Sequence, residues 1–264
     1  MKVTSHIPGT VSWIELSTTD AKSAKTLYEK LFGWTSVEYM VGEDGCYYMF
    51  QIDGDDIAGM YTLSVEQVKQ GMPTAWLVHF AVENADATTE KAKALGGKVL
   101  SEPCDIFEEG RLAMIQDPTG AVFALWQPYK HIGSKRIKEH GALAWVEIAT
   151  KDLNRARDFY SKLFGWTTVE HDMGGTPYVV FSNQGVEVAG LMEIQESWGD
   201  VPPHWLAYLV VDQIDKAVET AEQNGARIIM PPSNAEGIGQ WSVIQDAQGG
   251  VLALLQPVTA PQAA

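Results

Sequence analysis

The feature that most constrains this chain is that its sequence is written twice. Ser12 opens the run SWIELSTTDAKSAKTLYEKLFGWTSVE and Ala144 opens its counterpart AWVEIATKDLNRARDFYSKLFGWTTVE, so that Trp13 answers Trp145 at a spacing of 132. The LFGW tetrads that begin at Leu31 and Leu163 keep that spacing. A one-residue loss near Gly45 then aligns Tyr47 with Tyr178, Phe50 with Phe181 and Gly59 with Gly190. After two further losses Trp76 aligns with Trp205, Asp117 with Asp246 and Gln127 with Gln256. The alignable stretches are 8–128 and 140–257, which leaves little outside the two copies. A period of this length is that of a whole domain rather than of a solenoid repeat. The expected organisation is a domain over 1–128, a linker over 129–140 and a domain over 141–264.

Within each copy the hydrophobic period switches between that of a strand and that of a helix. Over residues 11–18, Trp13, Glu15 and Ser17 alternate with Ile14, Leu16 and Thr18, which is the signature of a half-buried strand. Asp20 can cap a helix whose apolar stripe is Ala21, Ala24, Leu27, Tyr28 and Leu31, with Gly33 to end it. Three strands follow at 35–40, 47–52 and 57–63, separated by turn-forming residues at 42–45 and 53–56. The order then recurs: a strand at 75–82, a helix at 86–95 closed by Gly96-Gly97, and strands at 98–100, 111–116 and 121–127. Asp117-Pro118-Thr119-Gly120 forms the turn between the last two. The chain therefore reads as four βαβββ units, two per domain, in the α+β class.

Charge and composition exclude several functions. The 264 residues carry a formal charge of −15, which repels phosphate backbones, and the one basic stretch, 130–140, falls in the linker, so nucleic acid is not an expected partner. No apolar run approaches the roughly 20 residues that cross a bilayer. The first residues hold one lysine and no apolar segment, so neither a membrane nor a secretory route is expected and the reading is cytoplasmic. Cys46 and Cys104 lack CxxC spacing and read as small, buried, reduced thiols. There is no GxSxG elbow, P-loop, GxGxxG or HExxH.

In sequence the chain resembles the vicinal oxygen chelate (glyoxalase, bleomycin-resistance and dioxygenase) superfamily. The resemblance rests on Asp152 followed by Phe159-Tyr160 and Leu163-Phe164-Gly165-Trp166, on ALGGKV from Ala94 to Val99, and on QDPTG from Gln116 to Gly120, all in order and duplicated. It covers nearly the whole chain. It implies tandem glyoxalase-like domains, in each of which two βαβββ units form a curled eight-stranded mixed sheet around a cavity that commonly holds a divalent metal. It also implies where the four ligands of that metal would stand. At the first-strand position this chain has Trp13 and Trp145, at the fifth-strand position Leu77 and Leu206, and at the eighth-strand position Ala124 and Ala253. None of these side chains can coordinate a cation. The fourth-strand position holds Thr62 in one copy and Glu193 in the other. A family-type metal site is therefore not expected, and no cofactor is assigned.

Strand alternation brings residues two positions away to the same cavity. These are Glu15, His79 and Trp126 in the first domain and Glu147 and Tyr208 in the second, beside Trp13 and Trp145. Glu15 and Glu147 are carboxylates on apolar strands, which is costly unless they are hydrogen-bonded or protonated. They read either as structural acceptors or as groups that recognise a ligand or move a proton. His6, His131, His140, His171 and His204 read as solvated tail, linker or turn residues, and the Phe-Gly-Trp triplets as helix-end packing. The expected function is binding of a small apolar or aromatic molecule, with a sequestration, resistance or accessory role. The alternative is a metal-dependent enzyme of the lactoylglutathione-lyase or dioxygenase type, with displaced ligands drawn from Glu15, His79 and Glu193. The residues leave open both a homodimer and the question of whether cavities form within or across the two domains.

Overall fold

A computed structural model describes residues 1–41, 45–172 and 175–258; the expected turn at 42–45 lies, apart from Gly45, outside the described residues. The first half runs β1 (Val11–Thr18), α1 (Ala21–Phe32), β2 (Thr35–Val41), β3 (Gly45–Ile52), β4 (Asp55–Thr62), α2 (Val65–Lys69), β5 (Ala75–Ala81), α3 (Ala85–Ala94), β6 (Lys98–Ile106), β7 (Gly110–Gln116) and β8 (Val122–Pro128). The second half repeats it as β9 (Leu143–Thr150), α4 (Leu153–Phe164), β10 (Thr167–Asp172), β11 (Pro177–Asn183), β12 (Val186–Glu193), β13 (His204–Val210), α5 (Ile214–Gln223), β14 (Arg227–Ala235), β15 (Gly239–Gln245) and β16 (Val251–Pro257). Each half builds its own eight-stranded sheet, in the order β2-β3-β4-β1-β5-β8-β7-β6 and its exact repeat β10-β11-β12-β9-β13-β16-β15-β14. Adjacent units of the same half thus pair, and each sheet belongs to one half.

Local chemistry explains the element ends. The Asp20 carboxylate accepts the Ser23 N–H at 3.1 Å at the start of α1, and Gly33 at φ 68° closes it in the left-handed conformation that a side chain disfavours. Asp152 and Gly165 do the same for α4. The short helix α2, with a Ser64–Gln67 capping box, was not expected from the sequence, and β6 continues to Ile106 rather than stopping at 100. His171 lies in β10 rather than in a turn.

β1 runs parallel to β4 and antiparallel to β5, which in turn runs parallel to β8. This ladder places Glu15 opposite Gly59 and Leu77, Trp13 opposite His79, and His79 opposite Ala124. Ile14, Leu16, Val78 and Phe80 point to the other face, where the helices lie, and are buried. There the two halves share one continuous core. α1 packs against α5, α3 against α4, and β5 beside β13. Phe80 of the first half meets Trp205 at 5.1 Å and Phe164 at 5.0 Å of the second. Trp34 donates its indole N–H to Gly141 O and Trp166 donates to Gly9 O, both at 2.9 Å, so these tryptophans join the halves as well as closing helices.

The linker is strapped to the first half instead of being solvated. Lys135 pairs with Asp56 at 2.6 Å, and Arg136 reaches Asp55 at 2.7 Å and Asp53 at 3.2 Å, so the basic stretch neutralises the acidic β3–β4 turn. Ser134 N–H donates to Ser12 O at 2.6 Å, and Gly133 at φ 99° lies so close to Ser12 O that a β-carbon would not fit. Among the described residues no helix is long and apolar enough to cross a membrane.

Candidate functional site

The face of the first sheet turned away from the helices encloses a cavity of about 740 Å³, to which all eight strands contribute. Trp13, Glu15, His79 and Trp126 line it together, along with Thr62. Tyr47, Tyr61 and Met49 add to its wall from β3 and β4; the face that β3 and β4 present was not read from the sequence. Tyr39, Met40, Val41 and Phe107 form an apolar lip, of which Met40 is 72% and Phe107 81% exposed. Among the described residues no lysine or arginine lines the cavity.

Its polar end is built around Glu15. Tyr47 donates its hydroxyl to Glu15 Oε2 at 2.7 Å. A β-carbon at Gly59 would collide with that hydroxyl and lie 3.1 Å from Trp13 Nε1, so glycine is what lets tyrosine, indole and carboxyl converge. Glu15 is half-buried and lines the cavity. Removal from bulk water by the surrounding walls raises its pKa, and the Tyr47 hydrogen bond opposes that shift. His79 is 3% exposed and neither ring nitrogen has a hydrogen-bond partner among the described residues. Burial, with a smaller contribution from His131, pulls its pKa down to about 3 and keeps it neutral.

His131 corrects the expectation of a solvated linker residue. Its ring meets Trp13 edge-on at 4.7 Å, its Nε2 is buried without a partner among the described residues, and its carbonyl accepts the Trp126 indole N–H at 2.9 Å. Burial lowers its pKa to about 4. The linker therefore supplies one wall of the cavity, a placement that depends on the ionic strap and Gly133 and leaves no local sequence signal. His6, expected as a free tail, instead bonds Ser134 O at 2.7 Å through its ring. The cysteines are free but not buried: Cys104 is exposed and Cys46 sits half-buried at the cavity.

The second half keeps the frame and changes the filling. Tyr178 receives the Trp145 indole N–H at 3.1 Å and shares its hydroxyl with Glu147, while Gly190 leaves room for both. Tyr208, the counterpart of His79, donates a second hydroxyl to Glu147 Oε1 at 3.0 Å. Burial raises the Glu147 pKa against these two hydrogen bonds. Around them Leu206, Tyr208, Val243 and Ala253 form a separate apolar cluster, with Trp145, Trp241 and Leu255 packed on it.

The residues present do not fit a family-type metal centre. Trp13, Leu77 and Ala124 in one half, and Trp145, Leu206 and Ala253 in the other, offer no electron pair at those positions. Ala124 and Ala253 are fully buried opposite His79 and Tyr208. Among the described residues no three His, Cys, Asp or Glu side chains converge on one point. Glu193 is exposed at the end of β12 in the second sheet, so the structure does not bring it together with Glu15 and His79.

With this geometry in view, comparisons with known proteins are informative. Residues 10–125 and 142–254 each match the family described as the Glyoxalase/Bleomycin resistance protein/Dioxygenase superfamily. The chain is 35% identical over 256 residues to "Putative glyoxylase CFP32" of Mycobacterium tuberculosis, covering 96% of each chain. It is 30% identical over 242 residues to the anthracycline biosynthesis protein DnrV of Streptomyces peucetius, covering 88% of each. In fold it is similar to the Mn(II)-bound glyoxalase from Novosphingobium aromaticivorans, with a TM-score of 0.65 at 15% identity over 94% of this chain and 81% of that one.

Proposed function

Because the chain belongs to the Glyoxalase/Bleomycin resistance protein/Dioxygenase superfamily, we propose that it uses the family's cavity without the family's metal, holding a small aromatic or apolar molecule by shape, stacking and hydrogen bonding. One observation carries this reading. The first-half cavity, within the range of about 300–1,000 Å³ usual for small-molecule sites, presents the Trp13 and Trp126 side chains where a cation would otherwise be gripped or approached. Indole side chains and an apolar lip favour a flat guest, and a lining that holds no lysine or arginine among the described residues disfavours anionic conjugates. The relative named for anthracycline biosynthesis lends support, since anthracyclines are polycyclic aromatic compounds. The role that follows is sequestration of such a compound or an accessory part in its processing. Should the guest be turned over, Glu15 is the group placed to exchange a proton with it, because its carboxyl faces the cavity with an elevated pKa. Glu147 is less suited, since two tyrosines occupy it.

The test is a titration of full-length protein, purified without chelator, with pyrene and 1-methoxypyrene while tryptophan emission is followed. Saturable quenching at one guest per chain is expected, unchanged by added EDTA and weakened at least about tenfold in Trp13→Leu, a loss of about 1.4 kcal/mol. Absence of saturable binding, or near-stoichiometric metal by elemental analysis, overturns the reading.

A further inference from the structure

The two halves place different side chains at one point of an otherwise shared frame, and the difference describes the guest. Trp13, Glu15, Tyr47 and Gly59 of the first half correspond one for one with Trp145, Glu147, Tyr178 and Gly190 of the second. In both, one tyrosine hydroxyl reaches the carboxyl group. In the second half a further phenol, Tyr208, donates to Glu147 at 3.0 Å and stands at a ring distance of 6.3 Å from Trp241. In the first half that position is His79, whose shorter side chain makes no hydrogen bond, and among the described residues no side chain donates to Glu15 Oε1. Tyr61, the other nearby phenol, stands opposite Ser17 across the β1–β4 ladder.

We infer that the second half is a self-filled copy of the site, in which Tyr208 occupies the guest's place, and that the guest of the first half carries a phenolic hydroxyl which donates to Glu15 as Tyr208 donates to Glu147. The Glu15 oxygen that receives no side-chain donor among the described residues then accepts from the guest's hydroxyl. Buried polar groups of this kind are costly to leave unpaired, so a guest lacking the hydroxyl binds measurably worse than one that has it. This inference rests on the aromatic-binding reading above and narrows it from apolar aromatics to un-ionised phenols.

The experiment compares 1-hydroxypyrene with 1-methoxypyrene on the full chain near neutral pH, where a phenol keeps its proton. At least about tenfold tighter binding of the hydroxyl compound is expected, with the preference lost in Glu15→Leu. His79→Tyr should rebuild the second-half arrangement, fold at least as stably as the parent by thermal melting, and lose 1-hydroxypyrene binding. Equal affinities for the two pyrenes, or unchanged 1-hydroxypyrene binding by a folded His79→Tyr protein, overturns the phenol assignment and leaves aromatic binding standing. Failure of both pyrenes to bind removes both readings. The pyrene comparison needs no variant, so a misfolded mutant does not shield the inference.

Discussion

At the scale of single residues, the two glutamates differ in what their loss leaves behind. Replacing Glu147 by Leu strands the hydroxyls of Tyr178 and Tyr208, whereas replacing Glu15 strands only that of Tyr47. At about 1–3 kcal/mol for each buried donor left unpaired, Glu147→Leu should cost roughly twice as much as Glu15→Leu in urea unfolding. Equal losses would show that the second tyrosine contributes nothing to the carboxyl group. The histidines impose a pH dependence of definite sign. His79 titrates near 3 and His131 near 4 in the folded chain, against 6.5 when exposed. Between those values and 6.5 the unfolded chain binds more protons, so stability falls as pH falls, by up to about 1.4 kcal/mol per pH unit for each histidine. The raised carboxyls of Glu15 and Glu147 act oppositely: their contribution is present at low pH and is lost as pH rises through their folded values. Comparing the parent with His79→Phe isolates one histidine, and the variant should show the shallower acid limb. Parallel limbs would mean that His79 is not held neutral by burial.

At the scale of elements, alternation along a strand was enough to place Trp13, Glu15, His79 and Trp126 on one face, because a side-chain period of two leaves no other phase once Ile14, Leu16, Val78 and Phe80 are buried. The βαβββ order, the Asp20 and Asp152 caps and the glycine stops were legible for the same local reason. Tyr47 and Tyr61 were not, because their role depends on the register of β3 against β4 and of β4 against β1, which long-range pairing decides. Neither was His131, whose position follows from ion pairs between the linker and a distant turn. Gly59 shows how such a register can rest on one missing atom. Gly59→Ala should push the Tyr47 hydroxyl off Glu15, at a cost of about 1–3 kcal/mol from overpacking, and should weaken 1-methoxypyrene binding by displacing Trp13. Gly190→Ala, at the matching place in the second sheet, should lower stability similarly but leave guest binding intact. Loss of binding in both variants would put the guest outside the first-half cavity.

At the scale of the whole molecule, the duplicated halves do not behave as beads on a string, because each completes the other's core. Asp117 and Asp246, in the hairpins before the last strand of each sheet, fix their own turns through one carboxylate oxygen, which accepts backbone N–H groups. The other oxygen accepts a tyrosine from the opposite half: Tyr160 donates to Asp117 and Tyr28 to Asp246, each at 2.8 Å. Each tyrosine hydroxyl in turn receives the indole N–H of the tryptophan at the second position of a central strand of its own half, Trp205 of β13 at 2.9 Å and Trp76 of β5 at 3.1 Å. These reciprocal chains are buried, and they lie in the same apolar mass as Phe80, Phe164 and Trp166. Separating the halves would expose that mass and break both tyrosine–aspartate hydrogen bonds. Calorimetry of the full chain should therefore record one cooperative transition whose calorimetric and van't Hoff enthalpies agree. Tyr28→Phe and Tyr160→Phe should each lower stability by about 1–3 kcal/mol without splitting the transition, because the aromatic packing survives the loss of a hydroxyl. Two resolved transitions in the parent protein, one of them unaffected by Tyr160→Phe, would mean that the halves fold independently and that the shared core is not what holds the two sheets back to back.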